Sequence, residues 1–136
     1  MTISQTASVT PRALWTGRGL GALIVLFMTF DGVIKLPPLD IVTQTMVELG
    51  WPADPNVSRM LGIIGLVSTA LYAVPRTAVL GAILLTAYLG GAIATHIRIG
   101  SPLFSHTLFG VYLGVILWGG LFLRDPRVRA LIPFTR

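Results

Sequence analysis

Five ionisable side chains stand at or near the ends of long apolar runs, where charge is costly: Asp31, Lys35, His96, Arg98 and His106. Ionisable groups inside or beside a membrane span pair with one another, face a polar cavity, or mark a functional site. Asp31 and Lys35 are four residues apart. On a helix that spacing puts both on one face, with the acid N-terminal to the base, the favourable order for an ion pair. Asp31 sits about five residues inside the end of its run, roughly 7 Å deep at 1.5 Å per residue. It therefore needs Lys35, a neighbouring helix or water, not lipid. His96 closes one apolar run and His106 opens the next, with a tight turn between them. The two imidazoles can approach each other or Asp31.

Three chemistries fit these five residues. In the structural one, Asp31 and Lys35 form an ion pair, the histidines satisfy backbone groups at helix ends, and Arg98 snorkels to the headgroups. In the second, the five line a small pocket for a polar head such as a quinone carbonyl or a lipid headgroup. His and Arg would donate to an oxygen there, and His titrates near neutral pH and can move a proton. The third is a metal site of Asp31, His96 and His106. Two histidines and a carboxylate are a known ligand set, but here they come from separate segments with no local spacing signature. Haem held between His96 and His106 fits poorly, because both lie at one mouth of the bundle. No covalent cofactor is implied.

The elements that must position these residues follow from composition. The chain has 136 residues, 54% of them hydrophobic and 11% charged, whereas soluble domains carry about 25% charged residues. That excludes a soluble globular domain, and it excludes disorder, which needs low hydrophobicity and high charge. There is no cysteine, so disulfides, cysteine-ligated zinc, iron–sulfur ligation and a thiol nucleophile are excluded within this chain. P-loop, dinucleotide, HExxH and GxSxG signatures are missing. Net charge is +5, but the cations sit singly between apolar runs and form no stripe for nucleic acid.

Four runs are long enough to cross about 30 Å of hydrocarbon as helices: Gly17 to Leu36, Val57 to Val74, Thr77 to Ile97, and Leu103 to Leu123. Backbone groups in lipid must be satisfied internally, and the alternation of a closed barrel is absent, so the spans are helices. The fold class expected is all-α, an integral membrane four-helix bundle. Residues 1–16 form a polar N-terminal segment, 17–124 the four-span domain and 125–136 a basic C-terminal tail. The first run is too long for a signal-peptide core and has no A-x-A-like site, so it reads as an uncleaved span.

Pro75-Arg76 and Gly100-Ser101-Pro102 mark tight turns after the second and third spans. The longer first connection opens on Pro37-Pro38 and closes on Gly50-Trp51-Pro52. Between them a short helix is expected, capped at Asp40 and ended by Gly50. It would lie along the membrane interface or fold over the bundle mouth. Four spans put both termini on one side, with Arg12, Arg18, Arg76, Arg124, Arg127, Arg129 and Arg136. Lys35, Arg59 and Arg98 fall on the other. The positive-inside rule then places the termini in the cytoplasm. Trp15, Tyr72 and Trp118 near that side, and Trp51 near the other, read as an aromatic belt. Small residues four apart (Gly17 and Gly21, Gly110 and Gly114, Ala87 and Gly91, Gly90 and Ala94) let helices approach closely. They serve packing within the bundle, or docking onto a partner subunit or a second copy.

The stretches FDGVIKL (30–36), MVELGWP (46–52) and VPRTAVLGAILLTAYLGGAIATHIRIGSPLF (74–104) resemble the DoxX-like family of small bacterial membrane proteins. The most specific part is Gly91-Ala92-Ile93-Ala94-Thr95-His96-Ile97-Arg98. The resemblance spans about Arg18 to Arg124 and implies a four-helix membrane bundle in the bacterial inner membrane. Some relatives are linked to quinone-coupled sulfur oxidation as membrane subunits, others to thiol-redox partners, and distant eukaryotic ones to membrane-protein assembly. By the resemblance, Lys35, His96 and Arg98 are the functional positions; Asp31 and His106 join them on physical grounds. Of two functions the first is the one expected, because the sequence offers packing surfaces more clearly than chemistry, and the second is its alternative. The first is an accessory membrane subunit, without catalysis of its own, packed against a larger membrane complex that includes redox proteins. The second is a subunit binding a quinone or lipid in a polar pocket near the outer leaflet.

Overall fold

Thr10 starts the first helix. Its hydroxyl accepts a hydrogen bond from the Ala13 amide at 3.2 Å, and Pro11 takes the first helical position, where its missing N–H costs nothing. The structure, a computed structural model, describes residues 9–135, so residues 1–8 of the polar N-terminal segment and Arg136 of the basic tail lie outside the described residues. The elements are α1 (Pro11–Ile34), α2 (Asp40–Glu48), α3 (Pro55–Ala73), α4 (Ala78–Arg98), a π-helical turn (Leu103–Thr107), α5 (Phe109–Arg124) and α6 (Pro126–Leu131). All are helical. Among the described residues four stretches are long and apolar enough to cross a membrane: α1, α3, α4 and Leu103–Arg124.

α1 packs against α3 and α5, and α4 packs against the same two helices, so α1 and α4 stand on a diagonal. Ile24, Met28, Leu85, Leu117 and Leu121 fill the centre. Leu26, Phe30, Ile63, Ile83 and Val115 point outward, which suits lipid and would be an aggregation hazard in water. Glycine sets the closest crossings. A Cβ on Gly17 would lie 2.7 Å from the Gly120 carbonyl oxygen, and one on Gly62 would lie 2.7 Å from the Gly32 carbonyl oxygen. The α1–α5 and α1–α3 crossings are therefore backbone against backbone, as small residues permit in lipid.

Three particulars differ from the sequence expectation. α1 begins six residues before Gly17, because the Thr10–Pro11 cap starts a helix that hydropathy alone does not register. Tyr72 is not a belt residue. It is fully buried, and its hydroxyl donates to the Leu117 carbonyl at 2.8 Å, so the ring is core and the polar end is satisfied inside. The fourth span is not one uniform α-helix. The amides of His106 and Thr107 both donate to the Pro102 carbonyl, at 3.2 and 3.1 Å, which widens the first turn and turns His106 relative to a regular helix.

α6 folds back on α5. Val128 is buried, and Arg129 donates to the carbonyls of Phe122 and Leu123 at 2.6 and 2.7 Å, groups that a helix end leaves unpaired. Asp125 caps α6, accepting from the Arg127 amide at 2.9 Å and from its guanidinium at 3.0 Å. The guanidinium bond, followed by the backbone amide, holds the Asp125 carboxyl below the usual carboxylate range. A depressed folded value means that the cap stabilises α6 above the unfolded pKa and is lost as pH falls through the folded one. Protection of the Val128 amide against exchange, after correction for the intrinsic pH dependence, is expected to fall on acidification in the wild type. In Asp125→Asn that acid-dependent loss of protection is absent.

Candidate functional site

Lys35 ends α1, and Asp31 lies one turn earlier on the same face. The Lys35 ammonium donates to Asp31 Oδ2 at 2.6 Å and to the Tyr88 hydroxyl, across the bundle on α4, at 2.8 Å. The Tyr88 hydroxyl lies 3.4 Å from the same Asp31 oxygen. These three groups bridge the α1–α4 diagonal. Gly62 makes the arrangement possible, because a side chain there would press on the Lys35 Cβ at 3.0 Å.

The trio borders a cavity of about 480 Å³, within the usual range for small-molecule sites. Its walls are apolar: Phe27 and Met28 from α1, Leu61 from α3, Leu89 and Ile93 from α4, Phe109 and Leu113 from α5. Thr45 of α2, Leu49 at its C-terminal cap and Trp51 just beyond line it on the mouth side. The short helix thus folds over the bundle mouth, one of the two places expected for it.

His96 and His106 both line the cavity. Their rings stand 5.8 Å apart, edge to face. His96 Nδ1 is 2.9 Å from the Ser101 hydroxyl and His106 Nδ1 is 2.7 Å from the Ser105 hydroxyl. Each ring is anchored through one nitrogen, which leaves Nε2 for other partners. Tyr88 and His96 are eight residues apart on α4, about 12 Å along its axis. The cavity therefore has two polar stations, the Lys35 trio at one level and the histidine pair at the other.

Four of the five expected residues (Asp31, Lys35, His96 and His106) border this one space. Arg98 does not. Its guanidinium donates to the Leu49 carbonyl at 3.1 Å, on the far side of the α2 end. The grouping of Asp31 with the two histidines as metal ligands does not form either. Asp31 is held by Lys35, and among the described residues no three His, Cys, Asp or Glu side chains converge. Sequence reasoning missed Tyr88. Its signal was present: a hydroxyl in mid-span, eight residues before His96 and so within the same broad helix stripe. Gly91, expected on a packing stripe, instead faces the cavity, with nothing within 4 Å of a Cβ built there.

The site is electrically balanced: one ammonium, one carboxylate, a phenol and two imidazoles. It can offer donors to a carbonyl or hydroxyl oxygen through Lys35 and Tyr88, against walls that accept a ring or chain. Residues 19–120 match the sequence model of the DoxX-like family, three quarters of the chain. No curated protein and no solved structure matches the chain.

Proposed function

This chain belongs to the DoxX-like family, and on that premise we propose that it is a small multi-pass membrane protein that holds a neutral amphipathic molecule, a quinone by class, in the cavity between α1, α4 and α5. The observation that carries this reading is the Lys35–Asp31–Tyr88 trio at the edge of an apolar-walled space. Asp31 neutralises Lys35, so a phosphate headgroup gains no free cation there, whereas an uncharged carbonyl oxygen gains the remaining Lys35 N–H and, when the single Tyr88 proton turns from Asp31 to the ligand, the phenol as well. The apolar walls suit a ring and an isoprenoid chain. Lys35 and Tyr88 orient the ligand and stand ready to pass it a proton, and the histidine pair faces the mouth. Electrons come from a partner subunit. By the charge asymmetry of the connections, the termini are cytoplasmic and the cavity lies in the outer half of a bacterial inner membrane.

A second reading, an accessory subunit that packs against a larger complex, is favoured by Gly90 and Gly114. Among the described residues neither has any atom within 4 Å of a built Cβ, so packing within that part leaves them free. One measurement separates the two: mass spectrometry of protein purified gently from native membranes, read for small molecules and for associated chains. The expected result is about one quinone per chain. Tyr88→Phe should lower quinone retention about tenfold and cost about 1.5–3 kcal/mol of stability, since its hydroxyl bonds charged Lys35 and lies close to charged Asp31. Recovery of phospholipid alone, or retention indifferent to Tyr88→Phe, overturns the quinone reading. A stoichiometric protein partner without quinone supports the accessory one.

A further inference from the structure

The cavity is bordered by a lightly held helix. α2 buries one side chain, Met46, and its one substantial helix neighbour is α3. It is joined to the rest of the fold by Pro37-Pro38 at one end and Trp51-Pro52 at the other. Yet Thr45, Leu49 and Trp51 line one side of the cavity, which is partly open, so a movement of α2 would widen or narrow access to it.

The end of α2 is built around Arg98. Trp51 N–H donates to the Met46 carbonyl and Gly50 N–H to the Val47 carbonyl, both at 2.9 Å, with Gly50 at φ +85°. This is the glycine-ended stop that satisfies two terminal carbonyls. The Leu49 carbonyl is left over, and it is the one that accepts from Arg98, at 3.1 Å. The guanidinium occupies the place where a side chain on Gly50 would begin. It also puts a cation at the negative end of the α2 dipole. Around this bond the packing is thin. Gly50, Trp51, Ala94, Thr95 and Arg98 line a second, open hollow of about 330 Å³, so the Arg98–Leu49 hydrogen bond joins α4 to the α2 end at an exposed place.

We propose that α2 is a lid on the cavity and that Arg98 is its latch. When Arg98 releases the Leu49 carbonyl, α2 swings on its proline-bearing ends and the cavity opens past Thr45, Leu49 and Trp51. Arg98 is then a positioning residue that acts through α2 and touches no ligand. The inference rests on the ligand-binding reading for its purpose, but its test reads access and not ligand.

The chain contains no cysteine, so single cysteines report cleanly. Ala92→Cys places a thiol on the cavity wall, Gln44→Cys places one on the exposed side of α2, and Leu85→Cys places one in the closed core. Labelling by a membrane-impermeant thiol reagent is followed on the full-length protein in lipid nanodiscs. Adding Arg98→Ala should speed labelling at Ala92→Cys about five- to tenfold. It should leave Gln44→Cys fast and Leu85→Cys silent, and Arg98→Lys should fall between. An unchanged rate at Ala92→Cys overturns the latch. A parallel rise at Leu85→Cys overturns it too, because Arg98 would then be holding the bundle and not the lid. If Arg98→Ala opens the cavity and no quinone is ever recovered, the lid stands and only the ligand class falls.

Discussion

Lys35→Met should destabilise the bundle and empty the cavity together. The substitution keeps the length and apolar stem of the side chain but removes the donor that lies 2.6 Å from Asp31 and 2.8 Å from Tyr88. Asp31 is then a carboxylate facing apolar walls, with one long contact to Tyr88. Breaking a fully buried pair costs about 3–5 kcal/mol. The Asp31 side chain keeps 30% of its exposure, so about 2–3 kcal/mol is the better expectation here. Thermal unfolding in lipid nanodiscs measures it. The second half of the experiment identifies the cause. Asp31→Asn added to Lys35→Met removes the orphaned charge, and stability should return to within about 1 kcal/mol of the parent, since replacing both partners of a buried pair is often neutral. Quinone retention should stay lost in both variants. A double variant as unstable as the single one would mean that Lys35 matters for packing and not as Asp31's counter-charge.

The parts of this site that sequence made legible are those set by local geometry. Asp31 and Lys35 declare themselves because an i, i+4 acid–base pair is a property of one helix. The four spans do so because length and hydropathy are additive along the chain. α2 does so because Pro37-Pro38 and Gly50-Trp51-Pro52 bracket it. What stayed hidden depends on which helix stands opposite. Tyr88 becomes a partner of Lys35 only because α1 and α4 share a diagonal. Tyr72, at the end of a span, looks like an interfacial aromatic until α5 supplies the Leu117 carbonyl. Arg98 has the same character beside His96 in the chain, yet the side chain turns to the α2 end while His96 faces the cavity. The π-helical turn was unreadable for a different reason. It arises from two successive i+5 bonds, Thr107 N–H to the Pro102 carbonyl and Leu108 N–H to the Leu103 carbonyl, and no residue pattern announces that choice.

Glycine spacing shows the same limit in its sharpest form, and it supplies the other large expected effect. Gly81 and Gly91 lie ten residues apart on α4 and look alike in sequence. A Cβ on Gly81 would run into the backbone nitrogen and Cα of Tyr72. Backbone atoms cannot rotate away, so Gly81→Ala must push α3 and α4 apart and disturb the buried Tyr72 ring, whose hydroxyl ties α3 to α5. The expected cost is about 2–3 kcal/mol, the upper part of the range for overpacking. It is large for a single methyl that on helix propensity alone would stabilise by up to about 1 kcal/mol. At Gly91 the built Cβ meets open space in the cavity. Gly91→Leu should therefore leave thermal stability unchanged or slightly raised, by less than about 1 kcal/mol. Its side chain should occupy the room that the ligand needs, and co-purified quinone should fall at least tenfold. The pair of outcomes constrains the structure from both sides. A tolerated Gly81→Ala would mean that α3 and α4 do not cross this tightly. Full quinone retention in Gly91→Leu would mean that the ligand does not bind between α1, α4 and α5, however stable the variant proves to be.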